Sequence, residues 1–179
     1  MSLAKEKRWL FRQANRKLNR INSPLNRETH MALATFYLLD DTHTDPQRCM
    51  VEKAGQLSAL FSQQGMKVYI SANDKSQAES VDEYLWQQSP DNFVAHNLVG
   101  EGPRGGAQVE IGWAGVRHTG HRNVLINLSE EAAIFAPSFA QVVDFVPCDE
   151  TLKQQARERY KIYRMAGRQM RTLAIDDMS

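Results

Sequence analysis

Long apolar runs, paired cysteines and internal repeats are all missing from this 179-residue chain. No stretch approaches the ~18 apolar residues of a membrane span, and no secretory h-region stands out, which points to a soluble protein. Its two cysteines, Cys49 and Cys148, sit far apart with no short-range pairing pattern, as expected in a reducing, cytoplasmic setting. A Walker phosphate loop, a nucleophile elbow and carboxylates paired for acid–base work are also lacking, so no catalytic residue is expected. His118 and His121 lie in a polar turn without a cysteine or carboxylate at ligand spacing, which leaves no metal set. A net charge of only +1 argues against a broadly basic nucleic-acid binder.

What charge there is falls in blocks. Residues 1–30 hold eight basic and two acidic residues, residues 31–150 seven and sixteen, and residues 151–179 seven and three. The first block reads as an amphipathic helix, with Leu3, Leu10, Phe11, Leu18 and Ile21 on one face and Lys5, Arg8, Arg12, Arg16 and Arg20 on the other. Ser23-Pro24 breaks it. A basic arm for nucleic acid, a membrane-surface helix and sequence upstream of the true start are all open for this extension. Met31 opens directly onto a strand and is expected to be the natural start. The remainder, 31–179, is expected to be a single domain.

From Leu33 onward strand and helix patterns alternate. Strands are expected at Leu33–Leu39, Lys67–Ser71, Phe93–Leu98, Val109–Trp113, Asn123–Leu128 and, last, Gln141–Val146. Helices are expected at Pro46–Gln64, at Lys75–Gln87 after Asn73-Asp74, and near Glu130–Phe139 with Ser129 as cap. This alternation predicts an α/β fold, a three-layer α/β/α arrangement around a mostly parallel, Rossmann-like sheet.

Gly100 to Gly106 contains the letters of a dinucleotide loop, G-x-G-x-x-G. That reading requires a helix to open at the last glycine. Here Ala107 to Trp113 reads as a strand, so no row of free helix amides awaits a pyrophosphate, and no cofactor is expected. A tight turn needing positive φ angles fits the glycines better. Trp86 and Phe93 flank a polar Gln-Gln-Ser-Pro turn. Such a pair either covers the edge of the core or anchors a partner.

The last long stretch, Asp149–Arg171, has clear helix ends: acids after Pro147 at its start and Gly167 as a left-handed stop, although Arg168 to Arg171 would fit one more turn. Leu152, Ala156, Tyr163 and Ala166 form an apolar stripe for docking. Lys153, Arg157, Tyr160, Lys161, Arg164 and Arg168 share an adjoining arc, and beyond the first turn Glu158 is the single acid. The arc is either a solvated face or a surface for something negative; the scarcity of acids at i±4 favours the second. Direct single-stranded nucleic-acid binding through this helix is one such use, and the acidic body limits its footprint.

Several blocks together then carry a family resemblance. ATFYLLD at 34–40, VDEYLW at 81–86, HNLVGEGPRGGAQVEI at 96–111, and VVDFVP with LKQQARERYK between 142 and 161 resemble the chi subunit of bacterial DNA polymerase III. The resemblance implies a non-catalytic accessory subunit of the clamp loader, replisome-associated in the bacterial cytoplasm, with a nucleotide-binding-like fold that holds no nucleotide. It implies pairing with the psi subunit through Trp86 and Phe93, and through psi with the clamp-loader complex. It also implies binding of the acidic C-terminal tail of single-stranded-DNA-binding protein through Lys153, Arg157, Tyr160 and Lys161, with Val146 lining an apolar pocket. Contact with DNA would be mostly indirect.

Overall fold

The computed structural model describes residues 32–40 and 45–175. The expectations for the basic extension 1–30 and for a start at Met31 fall outside the described residues. Seven strands form one sheet: β1 (Leu33–Leu38), β2 (Val68–Ser71), β3 (His96–Leu98), β4 (Val109–Gly112), β5 (Val124–Asn127), β6 (Gln141–Val146) and β7 (Gln169–Ala174). Their spatial order is β3-β4-β2-β5-β6-β1-β7. Every pairing is parallel, so the sheet is wholly rather than mostly parallel.

Among the described residues three helices cover it: α1 (Pro46–Gln63), α2 (Lys75–Trp86) and α3 (Glu150–Met165). A sheet covered on both faces needs strands that are apolar on both, and β2, β4 and β5 are buried along their whole length. On one face, Ala54 and Leu57 of α1 and Val81 and Leu85 of α2 join Ile70, Ile126 and Phe145. On the other, Tyr163 of α3 closes over Phe36, Tyr69, Leu125 and Phe139. The three-layer architecture follows from these two clusters.

Helix starts are set locally. Asp45 accepts from the amides of Gln47 and Arg48 at 3.0 and 3.2 Å ahead of Pro46, and Asp74 accepts from Gln77 at 2.9 Å. The glycine loop solves a different problem. β3 and β4 are parallel neighbours, with His96 opposite Val109, yet only residues 99–108 connect them. A parallel crossover normally takes a dozen or more residues and a helix. Gly100, Gly105 and Gly106, at φ +90°, +90° and +73°, turn the chain back within that length. Beneath them Arg122, 1% exposed, donates to Glu110 at 2.9 Å and to the carbonyls of Val68 and Ala107 at 3.0 and 3.1 Å. Burial lowers the Arg122 pKa, against the opposing pull of Glu110.

Three elements differ from expectation. Residues 130–139 form no α-helix, only a 3-10 turn at Ala136–Ser138. Ser129 does not cap; its hydroxyl donates to Asn127 Oδ1 at 2.8 Å, and the segment packs Phe135 and Phe139 around Tyr69. The strand expected from Phe93 starts at His96, because Pro90–Asn92 forms a 3-10 turn and Phe93 only caps it. Gln141–Val146 is not the last strand. After Gly167 (φ +80°) ends the helix, residues 169–174 form β7, whose edge position and mixed exposure gave no clean alternation to read.

Candidate partner-binding surfaces

α3 begins at a capped N-terminus, where Asp149 Oδ1 accepts from the Leu152 amide at 3.0 Å. Ala156, Arg159 and Tyr163 are its buried residues, so the docking stripe holds an arginine that the sequence reading left out, and Ala166 is exposed. Arg159 reaches down to Asp144 of β6 with two contacts of 2.8 Å, and to the Glu130 carbonyl at 2.9 Å. Burial opposes the charge on Arg159, but the Asp144 carboxylate outweighs it and raises the guanidinium pKa. A bidentate buried pair fixes the rotation of the helix about its axis as well as its position.

That rotation turns Lys153, Arg157, Tyr160 and Lys161 to one side. Arg157 and Arg164 are exposed, and neither has a carboxylate within ion-pair reach among the described residues. Lys153 and Lys161 do have local acids, Glu150 at 3.4 Å and Glu158 at 2.9 Å. The arc is thus less starved of acid than the i±4 spacing suggested, because both acids sit at i−3. Such exposed pairs are worth little and leave the lysines available. Arg168 is not on the arc. It follows the end of the helix, is 6% exposed, and donates to the carbonyls of Leu33, Ala136 and Phe139.

Next to the cations lies an apolar floor. Tyr160 is half-buried, its ring centroid 5.2 Å from that of Phe36 in an edge-on contact, and Val146 packs on the same cluster. Val146 stands opposite Leu38 in the β1–β6 register, and Leu38 follows Phe36 on the same face of β1 with 45% exposure. The sequence reading missed Leu38, although the alternation Ala34, Phe36, Leu38 places it on this face. Cations around a ring, the exposed Leu38 and the half-buried Val146 suit a ligand that is both anionic and apolar.

A second surface lies across the sheet, at the end of α2. Trp86 is 61% exposed and Phe93 53%, with ring centroids 6.0 Å apart. Leu85, not Trp86, fills the core here. Both readings of this pair stay open, since the rings lie over the buried His96 side chain of the edge strand and are themselves more than half exposed. His96 packs against both rings at 4.8 and 6.2 Å.

A cleft of about 600 Å³ opens where α1, α2 and the start of α3 leave the carboxyl ends of β2 and β5. Open α/β sheets often hold ligands there. In this chain Asp45 and Asp74 occupy the amides of the two helix starts, and both cleft cations are tied, Arg48 to Glu52 and Arg159 to Asp144. A phosphate entering the cleft would meet carboxylates instead of free amides.

A model of the family described as "DNA polymerase III chi subunit, HolC" matches residues 31–171. The chain belongs to this family. It is 48% identical to DNA polymerase III subunit chi of Escherichia coli (strain K12) over 143 residues, 79% of this chain and 97% of the relative. The chi subunit of Haemophilus influenzae is 45% identical, covering 75% of this chain and 91% of the relative, and that of Pseudomonas aeruginosa 32%, covering 76% and 92%. Membership makes the chain an accessory subunit in DNA replication. The fold also occurs in more distant solved structures. T4 UvsW superposes with a TM-score of 0.54 at 12% identity over 79% of this chain, and yeast Dbp5 bound to RNA and ADP BeF3 with 0.53 at 11% over 83%. This chain spans about two fifths of those two, 41% and 42%, and the likeness concerns architecture alone. Among the described residues no helix is long and apolar enough to cross a membrane.

Proposed function

We propose that this chi subunit is a non-catalytic connector in the bacterial cytoplasm, with domain 31–179 as its working unit. α3 takes the acidic C-terminal tail of single-stranded-DNA-binding protein, and the Trp86–Phe93 pair takes the psi subunit of the clamp loader. The observation that carries the reading is Arg157, an exposed guanidinium without a carboxylate partner beside the Tyr160–Val146–Leu38 floor. A tail ending in Pro-Phe offers what that arrangement lacks: acids and a terminal carboxylate for Lys153, Arg157 and Lys161, and a ring for the floor. The aromatic pair supports the other half, since exposed clustered aromatics act as anchors at interface centres. Because the two surfaces lie on opposite faces of the sheet, one chain has room for both partners.

Fluorescence anisotropy with a labelled acidic peptide ending in Pro-Phe tests the tail site. Wild type binds in a salt-sensitive way and Arg157→Ala does not, while both still co-purify with psi. Equal binding by the two forms sinks the assignment. If labelled single-stranded DNA binds in parallel titrations and the peptide does not, the arc belongs to nucleic acid.

A further inference from the structure

Beneath the aromatic pair is a histidine whose hydrogen bonding is incomplete in its neutral form. The His96 side chain is fully buried. Its Nδ1 lies 2.6 Å from the Val94 carbonyl, which can only accept, so the proton is on Nδ1. Its Nε2 is buried without a hydrogen-bond partner and lies 3.5 Å from Asp82 Oδ1. In the neutral ring Nε2 would turn a lone pair toward a carboxylate. In the imidazolium both nitrogens donate, one to Val94 and one to Asp82.

The rings respond to that choice. Trp86 lies 4.8 Å from the imidazole in an edge-on contact, and Phe93 6.2 Å away. Asp82 sits on α2, one helical turn before Trp86, so the His96–Asp82 contact joins β3 to the part of the helix that presents the indole. The other charged groups on the packed elements face elsewhere. Lys75 pairs with Glu79 at 3.6 Å, Glu83 accepts from Gln87 at 2.7 Å, Glu110 of β4 is held by Arg122, and Asp91 on the turn is exposed.

We infer that His96 is a positioning residue for the Trp86–Phe93 surface, and that its imidazolium, held between Val94 and Asp82, sets the pose in which the two rings meet a protein partner. The inference builds on the reading of this pair as a docking surface, and it goes beyond it by making docking depend on a proton. When the ring gives up its Nε2 proton, the Asp82 link is lost, the rings loosen and partner binding weakens.

Two measurements test it. In a Trp9→Phe/Trp113→Phe chain, Trp86 is the only indole, and a neighbouring imidazolium quenches it. Its emission rises across a pH series run from acid to mildly alkaline, and His96→Gln removes the change. A flat profile overturns the inference whatever the partner proves to be. In the second, psi binding to the wild-type chain weakens by about tenfold over the same range, the scale of one lost charge-assisted hydrogen bond. Asp82→Asn, which offers neutral Nε2 an amide donor, stays tight throughout. Wild-type binding that ignores pH, or an Asp82→Asn chain that titrates like wild type, overturns it. If psi binds the wild-type chain at no pH, the partner assignment fails separately and the emission measurement alone decides the role of His96.

Discussion

Arg157 and Arg159 leave the same helix two residues apart and point to opposite fates. Arg159 is buried on Asp144, whereas Arg157 is exposed without a carboxylate in reach. Truncating them should separate folding from binding. Arg159→Ala leaves Asp144 charged and unpaired in the core and should cost about 3–5 kcal/mol in urea denaturation. Arg157→Ala should unfold within about 0.5 kcal/mol of wild type, yet lose the acidic peptide in anisotropy. Matched stability losses in both variants would contradict this division.

Trp86→Ala should behave as the mirror image of Arg157→Ala. It removes an exposed ring, so stability should stay within about 1 kcal/mol of wild type while psi binding drops by at least about 2 kcal/mol, the scale of an interface anchor. The acidic peptide should bind as before. Isothermal calorimetry on the purified variant reads both partners, and a joint loss would mean a misfolded chain.

Tyr163 offers a test of the core. Its hydroxyl is buried without a hydrogen-bond partner. Tyr163→Phe removes that unsatisfied group and should leave stability unchanged or raise it by about 1 kcal/mol. A clear loss in thermal denaturation would show that the hydroxyl has a partner.

Alkaline titration addresses Tyr69 and Tyr163 together. Burial pushes both phenols up; the negative charges of Glu110 and Asp144 respectively add to it. A folded-state pKa above the unfolded value of about 10 gives stability that is complete below that pH and is lost as pH climbs past it. Absorbance at the phenolate band should show these two ionising only as the protein unfolds. Full ionisation with intact near-ultraviolet circular dichroism would contradict the burial.

Arg168 was legible as basic but not as buried. Its side chain satisfies three carbonyls where β1, the 3-10 turn and the start of β7 meet. Arg168→Ala strands those carbonyls and should cost about 2 kcal/mol or more without touching peptide affinity in the folded fraction. Lost affinity at full stability would return Arg168 to the arc.

The sequence spoke most clearly where one local rule decided the outcome. Continuous apolar runs announced β2, β5 and β6, Asp74 and Asp149 announced helix starts, and Gly167 announced an end. It misled where a long-range contact overrode local preference. Ser129 looks like a cap, but Asn127 takes its hydroxyl, and Arg168 to Arg171 continue a helical pattern that the sheet edge pulls straight. Burial of Arg122, Arg159 and Arg168 was invisible for the same reason, since their acceptors lie 12 to 135 residues away. At the basic surface the charged residues could be listed from helical spacing, whereas the floor needed Leu38 beside Val146, which only strand order supplies.

The seating of β1 carries a consequence for how the protein is made. Leu33 lies opposite Gln141 on one side and Gln169 on the other, so the first strand is held between the last two. A ribosome releases residues 33–38 long before either neighbour exists, and closing loops of that length is a slow, late event. Until then the strand has no sheet to join, and Leu38 has no Val146 beside it. The surface proposed for the acidic peptide is therefore a property of the finished chain alone, and an incomplete nascent chain would have nothing with which to compete for such a tail.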